Sequence, residues 1–313
     1  MNYKLHTNGQ WDILGNNIHL KNAYPAINGL PLSPVSVSVE NDSVLYRLEK
    51  GQIQLNFLKK DDKVEVTCTL CGLRGIHDVE LLANALADHA EHVFIQGLGM
   101  QGPSGCHPIT GRGQSNASSP NPNSDEAQKA PFISHGLISL FNDDGAFFVY
   151  ARDHRHYINC YQVGVTQNLF AGEAVCFSGG FNLENTAGDT LTLPTLYFAE
   201  EENLFPGLQN CAREIAQTMK ARTAMPPVFH WCSWYYLYQN LSQELLAEYL
   251  KEFQVIENVP FHYIQIDAGY APHTGDWLLP NHLFPQGLKE AAKSILDAGY
   301  HAGIWVAPFI VGD

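Results

Sequence analysis

The sequence predicts a multidomain β and α/β fold, in which an N-terminal antiparallel β-sandwich precedes a parallel α/β sheet. The 313 residues are 45% hydrophobic, which is enough for a large core and for more than one domain. In the first 200 residues, short segments alternate apolar and polar residues between turn signals, as half-buried strands do. Further along the chain, helical periodicity and continuous apolar runs replace this alternation, which favours parallel strands buried on both faces.

Residues 1–202 are predicted to form the sandwich domain, because alternating segments follow one another with little helical pattern between them. Examples are SVSVE, SVLYRLE, QIQLNFL, KVEVTCTL, GAFFVYARD and LTLPTLYFAE. In ARDHRHY, a strand would place His154 and His156 on one face near Asp153. No third ligand is evident, so we predict no metal site there.

Two loop segments interrupt the sandwich. Residues Gly97–Gly102 read GLGMQG, which is formally GxGxxG, but Pro103 and Pro108 exclude the helix that a dinucleotide site requires. We therefore predict no cofactor and a loop in which the backbone approaches itself closely. The polar segment Arg112–Lys129 predicts a mobile surface loop, or alternatively a lid over a ligand site.

Residues 203–226 predict a linker helix, and residues 227–313 predict a β-α-β-α-β unit. The strands are VFHWCSW, FHYIQI and HAGIWVAPFIV, and Ser242 is placed to cap the helix between the first two. A (β/α)8 barrel needs eight strands and about 250 residues. We therefore expect the first strands of such a barrel, truncated, in a chain that is part of a larger polypeptide. The alternative is a small open α/β sheet docked on the sandwich.

Unusual side chains stand at the ends of these parallel strands. Trp234 follows the first strand, Asp267 follows the second, and Trp305 lies within the third near its end. Asp276 and Trp277 come in the loop after Asp267. The carboxyl ends of parallel strands are where α/β folds keep their ligands.

The composition argues against several partners and compartments. A net charge of −14 disfavours nucleic acid and anionic membrane surfaces. The N-terminus lacks an apolar signal region, and no apolar run reaches the roughly 18 residues of a membrane span. The seven scattered cysteines favour a reducing, cytoplasmic setting. Cys68 and Cys71 should point to opposite faces of one strand, and Cys232 is interpreted as core filling.

Four motifs in order resemble the first barrel strands of glycoside hydrolase family 36. They are HWCSWY at 230–235, QIDAGY at 265–270, GDWL at 275–278 with FPQG at 284–287, and GIWVAPF at 303–309. This family includes α-galactosidases and raffinose-type transferases, and its members carry a large β-sandwich before the barrel. The motifs cover about residues 228–309, whereas the sandwich matches by architecture.

The resemblance implies retaining hydrolysis of a terminal α-linked galactose or a related α-glycoside by two carboxylates about 5–5.5 Å apart. In the family both carboxylates lie on later barrel strands, so we expect them beyond residue 313 and expect this chain alone to be inactive. Asp267 and Asp276 are therefore neither nucleophile nor acid/base. Neither a metal nor a cofactor is implied.

The resemblance instead implies substrate binding by five residues of this chain, which are Asp267, Trp305, Asp276, Trp277 and Trp234. The family usually has two adjacent aspartates after the second strand, and here Ala268 takes the second place. Because alanine cannot accept hydroxyl hydrogen bonds, another α-sugar or a modified galactoside is as compatible as galactose.

Two other functions remain open at this point. One is a non-catalytic carbohydrate-binding protein, and the other is an α-galactosyl transferase of the raffinose-synthase type. In each case the predicted partner is an oligosaccharide or α-glycoside. The sequence leaves open whether the protein forms a homo-oligomer.

Overall fold

The computed structural model describes residues 1–98, 102–109, 131–168, 172–183, 189–256 and 261–310. The chain forms two compact units, Met1–Thr223 and Ala224–Asp313. The segment Arg112–Lys129, predicted to be a loop or a lid, lies outside the described residues.

Two antiparallel sheets make up the first unit. The strands are β1 Asn2–Leu5, β2 Trp11–Leu14, β3 His19–Ile27, β4 Leu30–Pro31, β5 Ser36–Glu40, β6 Ser43–Arg47, β7 Gln52–Lys60, β8 Lys63–Cys71, β9 Asp78–Asp88, β10 His92–Ile95, β11 Gly105–Pro108, β12 Phe132–His135, β13 Leu137–Asn142, β14 Gly145–Ala151, β15 Ile158–Asn168, β16 Gly172–Asn182, β17 Thr190–Thr192 and β18 Leu196–Glu201. One sheet has the order β1-β2-β3-β9-β16-β15-β12, with β4 beside β3. The other has the order β11-β10-β13-β14-β18-β8-β7-β6-β5, with β17 beside β8. The predicted antiparallel, β-rich architecture is confirmed.

Alternating side chains build the core of this unit. Along β8 every second residue is buried, and the buried set includes Cys68, while Cys71 lies on the opposite face as predicted. Both cysteines are free thiols. The buried faces of the two sheets contribute to one apolar cluster, in which the Trp11 ring meets Phe57 edge-on at a centroid distance of 5.1 Å. The strand pattern read from the sequence therefore specifies which face of each sheet is apolar.

Helix α1, Leu204–Met219, packs on the outer face of the second sheet of the first unit. Cys211 is buried there, and Gly207 allows close approach, since a Cβ atom at this position would lie 2.2 Å from Phe148 Cζ. The helix ends at Lys220, whose φ of 52° is left-handed. The segment that the sequence assigns to a linker thus packs against β14 and β18.

The glycine segment after β10 forms a close approach, as predicted. A Cβ atom on Gly97 would lie 2.4 Å from the carbonyl carbon of Gly102. Strand β11 rather than a helix follows Gly102. Residues 99–101 of this segment lie outside the described part of the chain.

The prediction that His154 and His156 share a strand face is wrong. Strand β14 ends at Ala151, before either histidine. The backbone turns there because the Asp153 carboxylate accepts a hydrogen bond from the Arg155 backbone N–H at 3.0 Å. The Arg155 guanidinium also pairs with this carboxylate, which lowers the pKa of Asp153.

The second unit contains a parallel three-stranded sheet with the order β19-β20-β21. Its strands are β19 His230–Cys232, β20 Tyr263–Ile266 and β21 His301–Ile304, and its helices are α2 Trp234–Leu237, α3 Gln243–Val255 and α4 Leu288–Asp297. The predicted alternation of parallel strands and helices is present. A closed (β/α)8 barrel stays a prediction, since the described residues of this unit supply three strands.

Helix α3 follows the predicted pattern at both its cap and its apolar stripe. Ser242 Oγ accepts a hydrogen bond from the Leu245 backbone N–H at 3.1 Å. Leu246 and Leu250 are buried in one cluster with Ile264 and Ile266 of the middle strand. This packing fixes β20, whose carboxyl end carries Asp267. None of the helices in the described ranges is long and apolar enough to cross a membrane.

Candidate functional site

Asp267 directly follows β20 and is only 8% exposed. The chain then turns sharply at Gly269, whose φ of +106° is rarely adopted by other residues. A Cβ atom on Gly269 would lie 2.5 Å from the Cα atom of Gln239. The glycine therefore allows this turn to pack against the chain just beyond helix α2.

Neutral donors surround the Asp267 carboxylate. Oδ2 accepts hydrogen bonds from Gln265 Nε2 at 2.8 Å and from Cys232 Sγ at 3.2 Å. Oδ1 accepts from the Ala268 backbone N–H at 2.7 Å, while the Asp267 backbone N–H donates to Ser233 Oγ at 3.0 Å. Among the described residues, no ion pair includes Asp267.

The Cys232 thiol keeps its proton in this environment. Burial is the main cause that raises its pKa, a hydrogen bond with the Trp234 backbone acts to lower it, and the hydrogen bond and charge of Asp267 raise it further. A protonated thiol can donate to the carboxylate, as the 3.2 Å contact requires.

Two indole rings lie beside the end of β21. Trp305 is the first residue after this strand rather than part of it, which corrects the prediction that placed it within the strand. It still extends the sheet, because its backbone N–H donates to the Ile266 carbonyl at 2.9 Å. The Trp277 ring meets the Trp305 ring edge-on, with a distance of 5.6 Å between the ring centroids, and Trp305 is 37% exposed. Asp267 and Trp305 therefore leave the sheet at neighbouring positions.

Tyr270 and Asn281 hold the loop that carries Trp277. The Tyr270 hydroxyl donates to the Trp305 carbonyl at 3.1 Å, and its buried ring lies 6.4 Å from that of Trp277. Asn281 Nδ2 donates to the Gly269 carbonyl at 2.7 Å. The loop is thus tied both to the turn after Asp267 and to the end of β21.

The structure does not bring all five predicted residues together. Asp276 is half-buried, and no ion pair among the described residues includes its carboxylate. Trp234 begins helix α2, and its ring contacts Tyr238 at 5.4 Å rather than the pair formed by Trp277 and Trp305. Asp267, Trp277 and Trp305 remain as the central group.

Sequence reasoning missed Gln265 and misjudged Cys232, which contacts Asp267 instead of filling the core. Gln265 lies two residues before Asp267, so the alternation of a strand places both side chains on one face. Cys232 is the register partner of Gln265 on the adjacent parallel strand. The period of two could have indicated Gln265, whereas the contact to Cys232 depends on a strand register that the sequence does not state.

This arrangement can bind hydroxyl groups and cover an apolar face. The carboxylate supplies an acceptor, and the indoles supply flat apolar surfaces. Within the described ranges, no group of three histidine, cysteine, aspartate or glutamate residues is placed to hold a metal ion.

No family model matches the chain. Its structure is similar to α-N-acetylgalactosaminidase NagBb from Bifidobacterium bifidum in complex with GalNAc, with a TM-score of 0.60 and 10% sequence identity over 96% of this chain. A quadruple mutant of the same enzyme gives 0.60 and 11%. A β-arabinopyranosidase matches with a TM-score of 0.46 and 12% identity, too low to support any inference.

These neighbours are glycosidases, and at such identities the likeness to NagBb shows a shared fold. The chain spans 57% of the length of the NagBb structures. The β-rich, multidomain architecture is therefore one that solved glycoside hydrolases also have. The resemblance to glycoside hydrolase family 36 rests on the four sequence motifs alone.

Proposed function

We propose that this protein is a glycoside hydrolase of the family 36 kind, which binds the terminal sugar of an α-galactoside or a related α-glycoside. The observation that carries the proposal is that Asp267 and Trp305 leave adjacent parallel strands side by side, with Trp277 against Trp305. The four motifs and the fold shared with NagBb support the same class.

Asp267 serves as the hydroxyl acceptor in this proposal. Burial of a carboxylate is unfavourable unless its oxygens are hydrogen-bonded, and a sugar hydroxyl is a suitable additional donor. Trp305, which is partly exposed, covers the apolar C–H face of the ring. Trp277 supports that indole from the side, and the proposal assigns no contact to Asp276 or Trp234.

Ala268 affects which sugar the proposed site can bind. Where the resemblance expects a second aspartate, alanine offers no acceptor for a hydroxyl pair. A sugar in which one hydroxyl is replaced by a substituent suits such a site, and the GalNAc bound by NagBb is a galactose of this kind. We therefore include α-linked N-acetylgalactosamine beside α-linked galactose as the substrate.

The mechanism follows from the family resemblance. A retaining glycosidase uses one carboxylate as nucleophile and a second as acid/base, about 5–5.5 Å apart. The proposal places both outside residues 1–313. The residues of this chain bind and orient the sugar, so their replacement should weaken transition-state binding without removing the reacting groups.

The test is hydrolysis of 4-nitrophenyl α-galactoside and 4-nitrophenyl α-N-acetylgalactosaminide by the full-length gene product. We expect release of nitrophenol from at least one substrate, and a fall in kcat/KM of about 100-fold or more in Asp267→Asn. Asp297→Asn is the matched control, since the partner of this exposed aspartate among the described residues is Lys293 on the same helix α4. Circular dichroism verifies that each variant is folded.

Several results would count against this function. Equal kcat/KM in wild type and Asp267→Asn would remove Asp267 from the site. Sugar-dependent quenching of tryptophan fluorescence without hydrolysis would favour a non-catalytic binding protein, which the single carboxylate directly after the described strands β19, β20 and β21 also suits. Transfer to an acceptor sugar in preference to water would favour the raffinose-type transferase.

A further inference from the structure

The contacts of Asp267 are unequal between its two oxygens. Oδ2 receives both side-chain donors, Gln265 Nε2 at 2.8 Å and Cys232 Sγ at 3.2 Å. Gln265 Nε2 also lies 3.6 Å from Cys232 Sγ, so the three side chains form one cluster across β19 and β20. Oδ1 receives one donor from the described residues, the Ala268 backbone N–H.

The number of acceptor sites on the carboxylate then limits what a ligand can do. An ionised carboxylate has about four lone-pair sites, roughly two on each oxygen. On Oδ2 of Asp267, two donors already occupy both sites, whereas Oδ1 retains one. The buried carboxylate therefore offers a ligand one acceptor.

We propose that Cys232 and Gln265 are positioning residues whose hydrogen bonds occupy Oδ2 of Asp267. Asp267 then accepts one sugar hydroxyl through Oδ1 and cannot accept two neighbouring hydroxyls. This inference deepens the proposed function and rests on it for the identity of the ligand as a sugar. The coupling among Cys232, Gln265 and Asp267 stands independently of that identity.

Removal of a donor should loosen this selection. In Cys232→Ala or Gln265→Met, the carboxylate can rotate, and Oδ2 becomes free for a second hydroxyl. We still expect each variant to bind the sugar about tenfold more weakly, because a carboxylate that is no longer held in one orientation must be ordered when the sugar binds. Cys232→Ser keeps a donor at this position and should restore most of the affinity.

The first measurement uses the full-length protein and the monodeoxy series of methyl α-galactoside, together with methyl α-N-acetylgalactosaminide, in fluorescence titrations. In the wild type we expect deletion of one hydroxyl to weaken binding about tenfold or more, and deletion of its neighbours to change it less than about threefold. In Cys232→Ala and Gln265→Met, the difference in affinity loss between deletion of that hydroxyl and deletion of its neighbours should shrink. In Cys232→Ser this difference should return.

The second measurement needs no ligand. Asp267 contributes to the raised pKa of the Cys232 thiol, so Asp267→Asn should lower that pKa and increase the thiolate fraction. We expect iodoacetamide to alkylate Cys232 at least about threefold faster in Asp267→Asn at pH 8, as followed by peptide mass spectrometry. The exposed Cys106 of the first unit is the internal control and should react at an unchanged rate.

The two measurements separate the possible failures. An unchanged alkylation rate in Asp267→Asn overturns the coupling, whatever the protein binds. If Cys232→Ala and Gln265→Met both keep the wild-type affinity and the same dependence on one hydroxyl, the positioning role is overturned, although the proposed function stands. Failure of the wild type to bind any of these sugars overturns the proposed function and the claim about Oδ1 together.

Discussion

Glu214 of helix α1 offers the most quantitative test of how this helix is attached to the sandwich. Its Oε2 atom accepts hydrogen bonds from the Tyr150 hydroxyl at 2.6 Å and from Arg152 Nε at 3.0 Å, and Lys63 pairs with Oε1. The Arg152 guanidinium in turn lies 3.8 Å from the centroid of the Tyr197 ring. Replacement by glutamine keeps the shape and removes the charge.

The expected cost of Glu214→Gln follows from these contacts. A hydrogen bond to a charged group contributes about 1.5–3 kcal/mol, and two cationic donors lose their charged acceptor. The side chains of Lys63 and Arg152 are 19% and 28% exposed, so water replaces part of the interaction. We therefore expect a loss of about 1–3 kcal/mol in the free energy of opening of helix α1 at pH 7.

The same contacts set the pH dependence. Burial acts to raise the pKa of Glu214, but the hydrogen bonds and charges of Lys63, Tyr150 and Arg152 outweigh it, and the pKa is lowered. A carboxylate with a lowered folded-state pKa stabilises the fold above its unfolded-state pKa of about 4.3, and this contribution is lost as the pH falls through the folded-state value. The difference between wild type and Glu214→Gln should therefore shrink in acid.

The assay is hydrogen exchange of peptides that cover Leu204–Met219, at pH 7 and at pH 3 with correction for intrinsic rates. Glu252→Gln on the exposed face of helix α3 serves as control and should change exchange little in either unit. Equal protection of helix α1 in wild type and Glu214→Gln at pH 7 would refute the reasoning. So would a difference that persists undiminished at pH 3.

Two further predictions concern the second unit. Ser242→Ala removes the acceptor for the Leu245 N–H and should lower the free energy of unfolding by about 1 kcal/mol, measured in urea, while Ser242→Asp should retain the cap. Gly269→Ala should cost more than about 1 kcal/mol, because it combines a positive φ with a Cβ atom 2.5 Å from Gln239 Cα. Gly299→Ala is its control, since φ is +90° there but no atom lies within 4 Å of the added Cβ. Equal losses at the two glycines would contradict the steric argument.

Local patterns in the sequence predicted much of the fold. The alternation along β8 fixed which residues are buried, and Ser242 lies at the N-cap because its spacing from an apolar stripe is a local signal. The ends of the strands were predicted less accurately. Trp305 continues the apolar run of β21 in sequence, yet the strand ends at Ile304, one residue earlier.

The site could be predicted only in part, because its contacts join separate strands. Asp267 was recognisable because it ends an apolar run, and Trp305 because it is an aromatic residue near the end of the next predicted strand. The contact between Cys232 and Asp267 arises from parallel pairing of β19 with β20. The register of this pairing cannot be predicted from the residues of either strand. The failed prediction for His154 and His156 has the opposite cause, since a local turn at Asp153 overrode the alternation.

The surroundings of Asp267 favour a ligand role over a capping role. No helix starts near it among the described residues, because the chain stays irregular until α4 begins at Leu288. Both of its oxygens accept hydrogen bonds. The side-chain NH2 group of an asparagine at this position would therefore face another donor, either the Ala268 N–H or the side chains of Gln265 and Cys232. The position therefore demands a carboxylate. A buried carboxylate that has no cation partner among the described residues, and one acceptor site left on Oδ1, supports the hydroxyl-bearing ligand proposed above.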